Sequence, residues 1–258
     1  MIADALFESA KLSKAEGKKS NLKVVICGRN RLENGSASAW ADAFAAHGTL
    51  VEVRMIQNGI RMEGITALAG GLAHCRDLEH IEMQDNTFIV DGEMTGVTAW
   101  TEALSSWPRL HTLNLSDCVL SAEGEVPTLI EALAKGTNPK LHTLQLQNNN
   151  LETSTFAVLA TAISQGLLGL RRLELQWNEA EDDDEHLEDI DLALKGRGGK
   201  LYVDDEDEEE DKEEQEEKDA EMEKLLHAPV APKAVDGEKI KDSADELADL
   251  LGKVTIKG

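Results

Sequence analysis

One spaced pattern, L-x-x-L-x-L-x-x-N-x-L with other aliphatics allowed, recurs along this chain and constrains its fold more than any other feature. It starts at Leu22, Leu50, Leu78, Leu110, Leu141 and Leu170, at intervals of 28, 28, 32, 31 and 29 residues. The ninth position holds Asn30, Asn58, Asn86, Cys118, Asn149 or Asn178. A short polar side chain there can hydrogen-bond the backbone where a strand turns outward, so these six residues are expected to form a structural ladder. A unit of this size cannot bury its own leucines, so successive units must stack.

Asn or Cys at the ninth position is the signature of the leucine-rich repeat. After each strand pattern comes a stretch of helical periodicity, such as Trp40, Ala43 and Phe44, or Phe156, Leu159, Ala160 and Ile163. A strand plus a helix per unit predicts an α/β solenoid, a horseshoe segment with a parallel inner sheet and outer helices. Leu201 to Val203 is expected to add a last strand, and the aspartates from Asp204 discourage further edge pairing. At the other end, Ala3 to Leu12 resembles the helical half of a unit without its strand. The chain is therefore expected to be a C-terminal portion of a longer solenoid.

Alternation of side chains along a strand sends the residues between the core aliphatics to the concave surface. The row before the ladder residue reads Arg29, Gln57, Asp85, Asp117, Asn148 and Trp177, and a row further back reads Arg54, Glu82, Asn114, Gln145 and Glu174. Both are polar, apart from Trp177, whose indole on such a face is either an interface anchor or a cover for the sheet edge.

Charge divides the chain into three expected segments: repeats over 1–203, an acidic disordered tail and linker over 204–235, and a short amphipathic helix within 236–258. From Asp204 to Glu223 there are 15 acidic residues against Lys212 and Lys218, which is 13 of the 24 net negative charges. So acidic a chain disfavours direct nucleic-acid binding or an anionic membrane surface and favours a basic partner. Three cysteines, Cys27, Cys75 and Cys118, make neither a disulfide framework nor a zinc site. No run is apolar enough for a membrane helix, and no signal-peptide core begins the chain. The cluster from Glu179 to Glu185 lacks the spacing of a calcium loop, so no metal is expected. His111 and His142 share one repeat position and read as structural. No glycine-rich phosphate loop is present, so no cofactor of the chain's own is expected.

The segment CGRNRLENGS (Cys27 to Ser36), with Gln57-Asn58-Gly59-Ile60, Gln84-Asp85-Asn86-Thr87-Phe88 and Ser106-Trp107-Pro108, resembles the Ran GTPase-activating protein family. The resemblance covers roughly residues 1–203, and an acidic tail after the repeats is a trait of that family. It implies acceleration of GTP hydrolysis by Ran, the small GTPase of nuclear transport, in its GTP-bound form. It also implies a cytoplasmic location, extending to the nuclear envelope, and action as a monomer. Such a protein is no enzyme in its own right: it orders the GTPase's catalytic machinery without an arginine finger, and Mg and GTP are carried by the partner.

By the same resemblance, Arg29, Arg31, Asn34 and Asp85 stand at motif positions, and with Gln57, Asp117 and Trp177 they are the expected GTPase-binding residues. The family's asparagine that orients the catalytic glutamine belongs to a repeat upstream of CGRNRLENGS. This chain is thus expected to contain no catalytic residue and to activate weakly. The competing reading is an acidic leucine-rich binding protein of the histone-chaperone kind, without activator function.

Overall fold

The computed structural model describes residues 2–179 and 184–204, which lie in one compact unit. The acidic run beyond Asp204, the segment 236–258 and residues 180–183 lie outside the described residues.

The six expected strands are present, with the seventh after them: β1 Val24–Ile26, β2 Glu52–Arg54, β3 His80–Glu82, β4 Thr112–Asn114, β5 Thr143–Gln145, β6 Arg172–Glu174 and β7 Lys200–Tyr202. They form one parallel sheet in sequence order, which among the described residues is open at both ends. Each strand is followed or preceded by a helix: α1 Ile2–Ala15, α2 Glu33–His47, α3 Met62–Leu72, α4 Thr95–Leu104, α5 Thr128–Ala134, α6 Thr153–Gln165 and α7 Glu185–Lys195. Parallel neighbours need a crossover, and one helix per unit supplies it.

The register follows the leucine frame. Val25, Val53, Ile81, Leu113, Leu144, Leu173 and Leu201 are successive partners across the sheet, and all are buried. Leu50, Leu78, Leu110, Leu141 and Leu170 fill the layer between sheet and helices. Burying each such side chain contributes roughly 1.5–3 kcal/mol, and each does so only against its neighbours. The two longest intervals carry extra backbone. Val90 and Glu93 close a small antiparallel bridge before α4, and Glu125 folds the loop before α5 by accepting the N–H groups of Ala122 (2.9 Å) and Glu123 (2.8 Å).

Aromatic packing is concentrated in the middle. Phe88, Trp100 and Trp107 are fully buried, with ring centroids 5.3 and 5.5 Å apart, and the two indoles donate to the carbonyls of Ile65 and Leu72 at 3.0 Å. Helices α2 and α3 approach closely because Gly71 has no Cβ; a methyl there would come 2.4 Å from the Ala41 carbonyl oxygen.

Helix α1 matches the expected helical half-unit. Ala3 and Ala10 are buried, Leu6 packs on the core, and His47 ties the helix down through the Leu6 carbonyl (2.9 Å) and the Ser20 hydroxyl (2.5 Å). Among the described residues no strand lies beside β1 on its outer side.

Candidate functional site

The ladder residues work as the repeat frame requires, with one exception at the end. The Asn86 amide is buried: its Nδ2 donates to the carbonyls of Met55 (2.9 Å) and Met83 (2.8 Å), and its Oδ1 accepts from Ile60 N–H (3.0 Å). Asn149 repeats this with Leu115 O and Cys118 N–H, while Asn58 bonds Cys27 O and Asn30 N–H. Cys118 donates weakly to Met83 O and Ser116 O. Asn178 is half-buried but reaches back to Leu146 O in the same way. Asn30 departs from the expected ladder. It is exposed, and its Nδ2 donates to Gly28 O (2.6 Å) in its own turn, there being no strand before β1 among the described residues.

The row Arg29, Gln57, Asp85, Asp117, Asn148 and Trp177 differs from the expected strand alternation. Every member lies three residues past the end of its strand in the left-handed region, with φ of 58°, 53°, 56°, 56°, 50° and 58°. This conformation lets the backbone N–H of five of them continue the sheet ladder, from Arg29 to Ile56 O, Gln57 to Gln84 O, Asp85 to Ser116 O, Asp117 to Gln147 O and Asn148 to Gln176 O. Their side chains consequently stand at the strand-to-helix rim instead of in the strand wall. Such a φ is costly for Arg, Gln and Trp, and the stacked ladder imposes it.

The rim and the wall differ in how far their charges are already matched. In the wall, Arg54 pairs with Glu52 (2.6 Å) and reaches Glu82 (3.4 Å), and His80 lies 2.7 Å from Glu82. Burial raises the Glu82 carboxyl, but the His80 hydrogen bond and the Arg54 charge outweigh it and leave it below the ordinary carboxylate value. Further along, Gln145 donates to Glu174 (2.8 Å), Glu174 pairs with Arg172, and the Arg172 guanidinium stacks 3.9 Å over the Tyr202 ring. On the rim, Arg29 and Arg31 are exposed, and neither has an ion-pair partner among the described residues. Glu33 and Asp42, the next carboxylates along the chain and the local partners the sequence offers, form no ion pair with them among the described residues.

Asn34 is instead occupied: its Nδ2 donates to Glu63 (2.6 Å) and its Oδ1 accepts from Arg61 N–H (2.8 Å), joining two units. Beside it lies a groove of about 500 Å³ lined by Glu33, Asn34, Gly35, Gly59, Arg61 and Thr87. Sequence reasoning missed Arg61 and Glu33, whose proximity follows only from the 28-residue register. Asp117 accepts from Gln84 (3.2 Å) and Asn148 (2.8 Å), whereas Gln57 and Asp85 are exposed and Trp177 is 59% exposed. Its indole therefore does not close the sheet end. Among the described residues no group of three or more His, Cys, Asp or Glu converges as a metal site would, and no helix is long and apolar enough to cross a membrane.

No protein-family model matches the chain. Ran GTPase-activating protein 1 of Saccharomyces cerevisiae is 35% identical over 192 residues, which is 72% of this chain and 46% of the yeast protein. Ran GTPase-activating protein 1 of Xenopus laevis is 57% identical over 60 residues, 23% of this chain and 10% of its own length. Ran GTPase-activating protein 2 of Caenorhabditis elegans is 48% identical over 63 residues, 24% of this chain and 7% of its own. Among solved structures, an internalin of Listeria monocytogenes covers 64% of this chain and 49% of its own at 14% identity and a TM-score of 0.35. A TLR13 chain from its complex with ssRNA13 covers 70% and 32% at 17% identity and a TM-score of 0.31. The chain thus spans less than half the length of the curated relatives it matches. With the repeat register and the asparagine ladder already in place, these alignments make the chain a homologue of the Ran GTPase-activating proteins.

Proposed function

We propose that this chain binds Ran in its GTP-bound form through the strand-to-helix rim and raises the rate at which Ran hydrolyses GTP. The observation that carries the reading is the pair of exposed rim guanidiniums, Arg29 and Arg31, left unmatched in a molecule whose wall charges are paired. Two arginines flanking a fixed turn suit a phosphate-bearing or acidic loop, since guanidinium recognises such oxygens bidentately. Gln57, Asp85, Asp117 and Trp177 extend the contact along the same rim, with Trp177 as its aromatic end. Asn34 acts by holding the first two units in register.

In this reading the chain supplies position and electrostatics while nucleotide and Mg stay with the GTPase, so the chain needs no cofactor. It works as a monomer in the cytoplasm, including at the nuclear envelope.

Single-turnover GTP hydrolysis by Ran, alongside a binding measurement, tests this. Addition of the chain is expected to accelerate hydrolysis, and Arg29→Ala or Asp85→Ala to weaken binding by roughly tenfold each, the usual scale of an interface anchor. Binding to core histones with no binding to Ran would reject the reading in favour of an acidic chaperone.

A further inference from the structure

The loops that return from helix to strand, at the opposite end of the strands from Asp117 and Trp177, divide into two groups by charge. In the loops 73–79 and 105–111, Arg76 and Arg109 are matched in number by Asp77 and Glu79, and Arg109 bonds both carboxylates (3.1 and 2.7 Å). The next three loops, 135–142, 166–171 and 196–199, hold Lys135, Lys140, Arg171 and Arg197 and not one Asp or Glu. None of these four cations has an ion-pair partner among the described residues. Helix C-termini attract cations, but every helix here carries the same dipole, so it does not explain why the carboxylates of the first group have no counterpart in the second.

The three loops are pressed into one surface. Arg171 N–H donates to His142 O and Lys200 N–H to Arg171 O, while a methyl on Gly166 would come 2.6 Å from the Ala134 carbonyl oxygen and one on Gly199 2.4 Å from that of Arg171. Two guanidiniums meet around the end of α6: Arg171 donates to Leu168 O (2.9 Å) and Leu170 O (3.0 Å), and Arg197 to Ile163 O (2.7 Å) and Leu167 O (3.1 Å). Burial and the like charge of Arg171 hold the Arg197 guanidinium below its ordinary value. From that turn a groove of about 740 Å³ runs between α6 and α7, lined by Ala157, Ala160, Gln165, Leu192 and Ala193, with Asp189 on its wall. Arg197 stands at its end, since its Nε donates to Ala193 O (2.9 Å). Leu192 in the groove and Leu168 on the turn are 68% and 62% exposed.

We propose that the α6–α7 groove and the cationic loops at its end form a docking site, separate from the rim, for a segment of a partner protein in which a short apolar stretch is followed by carboxylates. The apolar residues cover Leu192 and Leu168, and the carboxylates take guanidinium N–H groups that the loop carbonyls leave unused, with Lys135 and Lys140 along their path. Asp189 repels a carboxylate inside the groove, so acid is accepted only at the loop end. A nucleic acid has no apolar side chain to cover the two leucines, and the three loops hold no Phe, Tyr or Trp on which a base could stack.

The probe is a short fluorescein-labelled peptide of leucine and alanine followed by a run of glutamates, titrated by anisotropy against the whole chain. At physiological salt a Debye length of about 8 Å screens the chain's distant carboxylates from the site. Saturable binding is expected, weakened about tenfold by paired Lys135→Glu and Lys140→Glu, and about fivefold by Leu192→Glu, which puts a second carboxylate in the groove. All three side chains are exposed, so the variants keep the fold, which far-UV circular dichroism verifies. They lie away from the rim, so Ran binding is unchanged in them and the two sites are tested separately. Equal binding of a lysine-ended peptide, indifference to both variants, or no saturation would overturn the proposal. So would tighter binding of a single-stranded RNA of the same charge, lost in the same variants, since it would make a nucleic acid the occupant.

Discussion

Asn30 and Asn86 occupy the same place in the repeat and do opposite things. Asn86 is sealed between two units and bonds three backbone groups of its own and the preceding one; Asn30 faces solvent and bonds its own turn. The same holds for the residues around them: Arg54 and Glu82 pair in the wall, while their counterpart in β1 is exposed Ile26. In a solenoid a side chain's energetic role is set by the unit before it as much as by its own frame, so identical letters carry unequal weight.

The largest test of that inequality compares tryptophans. Trp100 is fully buried, touches two aromatic rings and satisfies its indole N–H on Ile65 O. Trp100→Ala is expected to cost roughly 3–5 kcal/mol through the cavity, the lost ring contacts and the lost indole hydrogen bond. Trp177→Ala should stay within about 0.5 kcal/mol, as an exposed substitution does. Urea unfolding followed by far-UV circular dichroism reads both, and a comparable loss for Trp177 would mean that it seals the sheet end after all.

Next in size is the ladder itself. Asn86→Ala strands the Ile60 N–H, takes the amide donor from Met55 O and leaves Met83 O with only the weak Cys118 thiol in a dry site, for a loss of about 2–3 kcal/mol. Asn30→Ala removes bonds that water replaces, and a change below about 0.5 kcal/mol is expected. Equal losses at the two positions would break the comparison outright.

A smaller effect separates wall from edge by pH. Glu82 sits below the ordinary carboxylate value when folded, so the stability it adds is present at neutral pH and drains away as pH falls through its ordinary value toward the folded one. Glu82→Gln should lower stability at neutral pH by about 1 kcal/mol and flatten the acid limb, the scale of one half-exposed charge-assisted bond. Ile26 has nothing to titrate, and Ile26→Gln should leave the acid limb unchanged. Thermal melts between neutral and acid pH are the check.

Much of this architecture is legible in the letters because leucine spacing encodes burial directly. The frame from Leu22 to Leu170 gives strand order, register and the position of each ladder residue. The rim row was readable as residues but not as a conformation. Positive φ usually announces itself through Gly or Asn, as at Gly59, and nothing in Arg29, Gln57 or Trp177 signals a left-handed turn. The groove between Glu33 and Arg61 and the exposure of Asn30 depend on which unit stands next door, which no single repeat records. Which rim charges stay unmatched was equally hidden, since Glu33 and Asp42 are close to Arg29 and Arg31 in sequence and do not pair with them.

The smallest expected effect on stability is chemical, and it distinguishes the same two regions thiol by thiol. Cys27 follows the exposed edge strand and is half-buried, with Asn30 Nδ2 3.5 Å from its sulfur; burial raises its thiol and the Asn30 contact only partly offsets that. Cys75 lies fully buried, where desolvation pushes it up to about 11. Cys118 holds the ladder position in the interior, and complete burial drives its thiol up further, with the nearby charges of Asp117 and Asp85 acting in the same direction. A thiolate attacks and a buried thiol does not, so access orders the three more strongly than acidity does. Ellman's reagent at mildly alkaline pH should therefore modify Cys27 alone in the native chain, and all three once urea unfolds it. Blocking Cys27 should shift the unfolding midpoint far less than blocking either interior thiol, because its sulfur is half-buried at the margin of the core while theirs are sealed inside it. Release of two equivalents at similar rates from the native chain would show that the interior opens as readily as the edge, and the division between them would not stand.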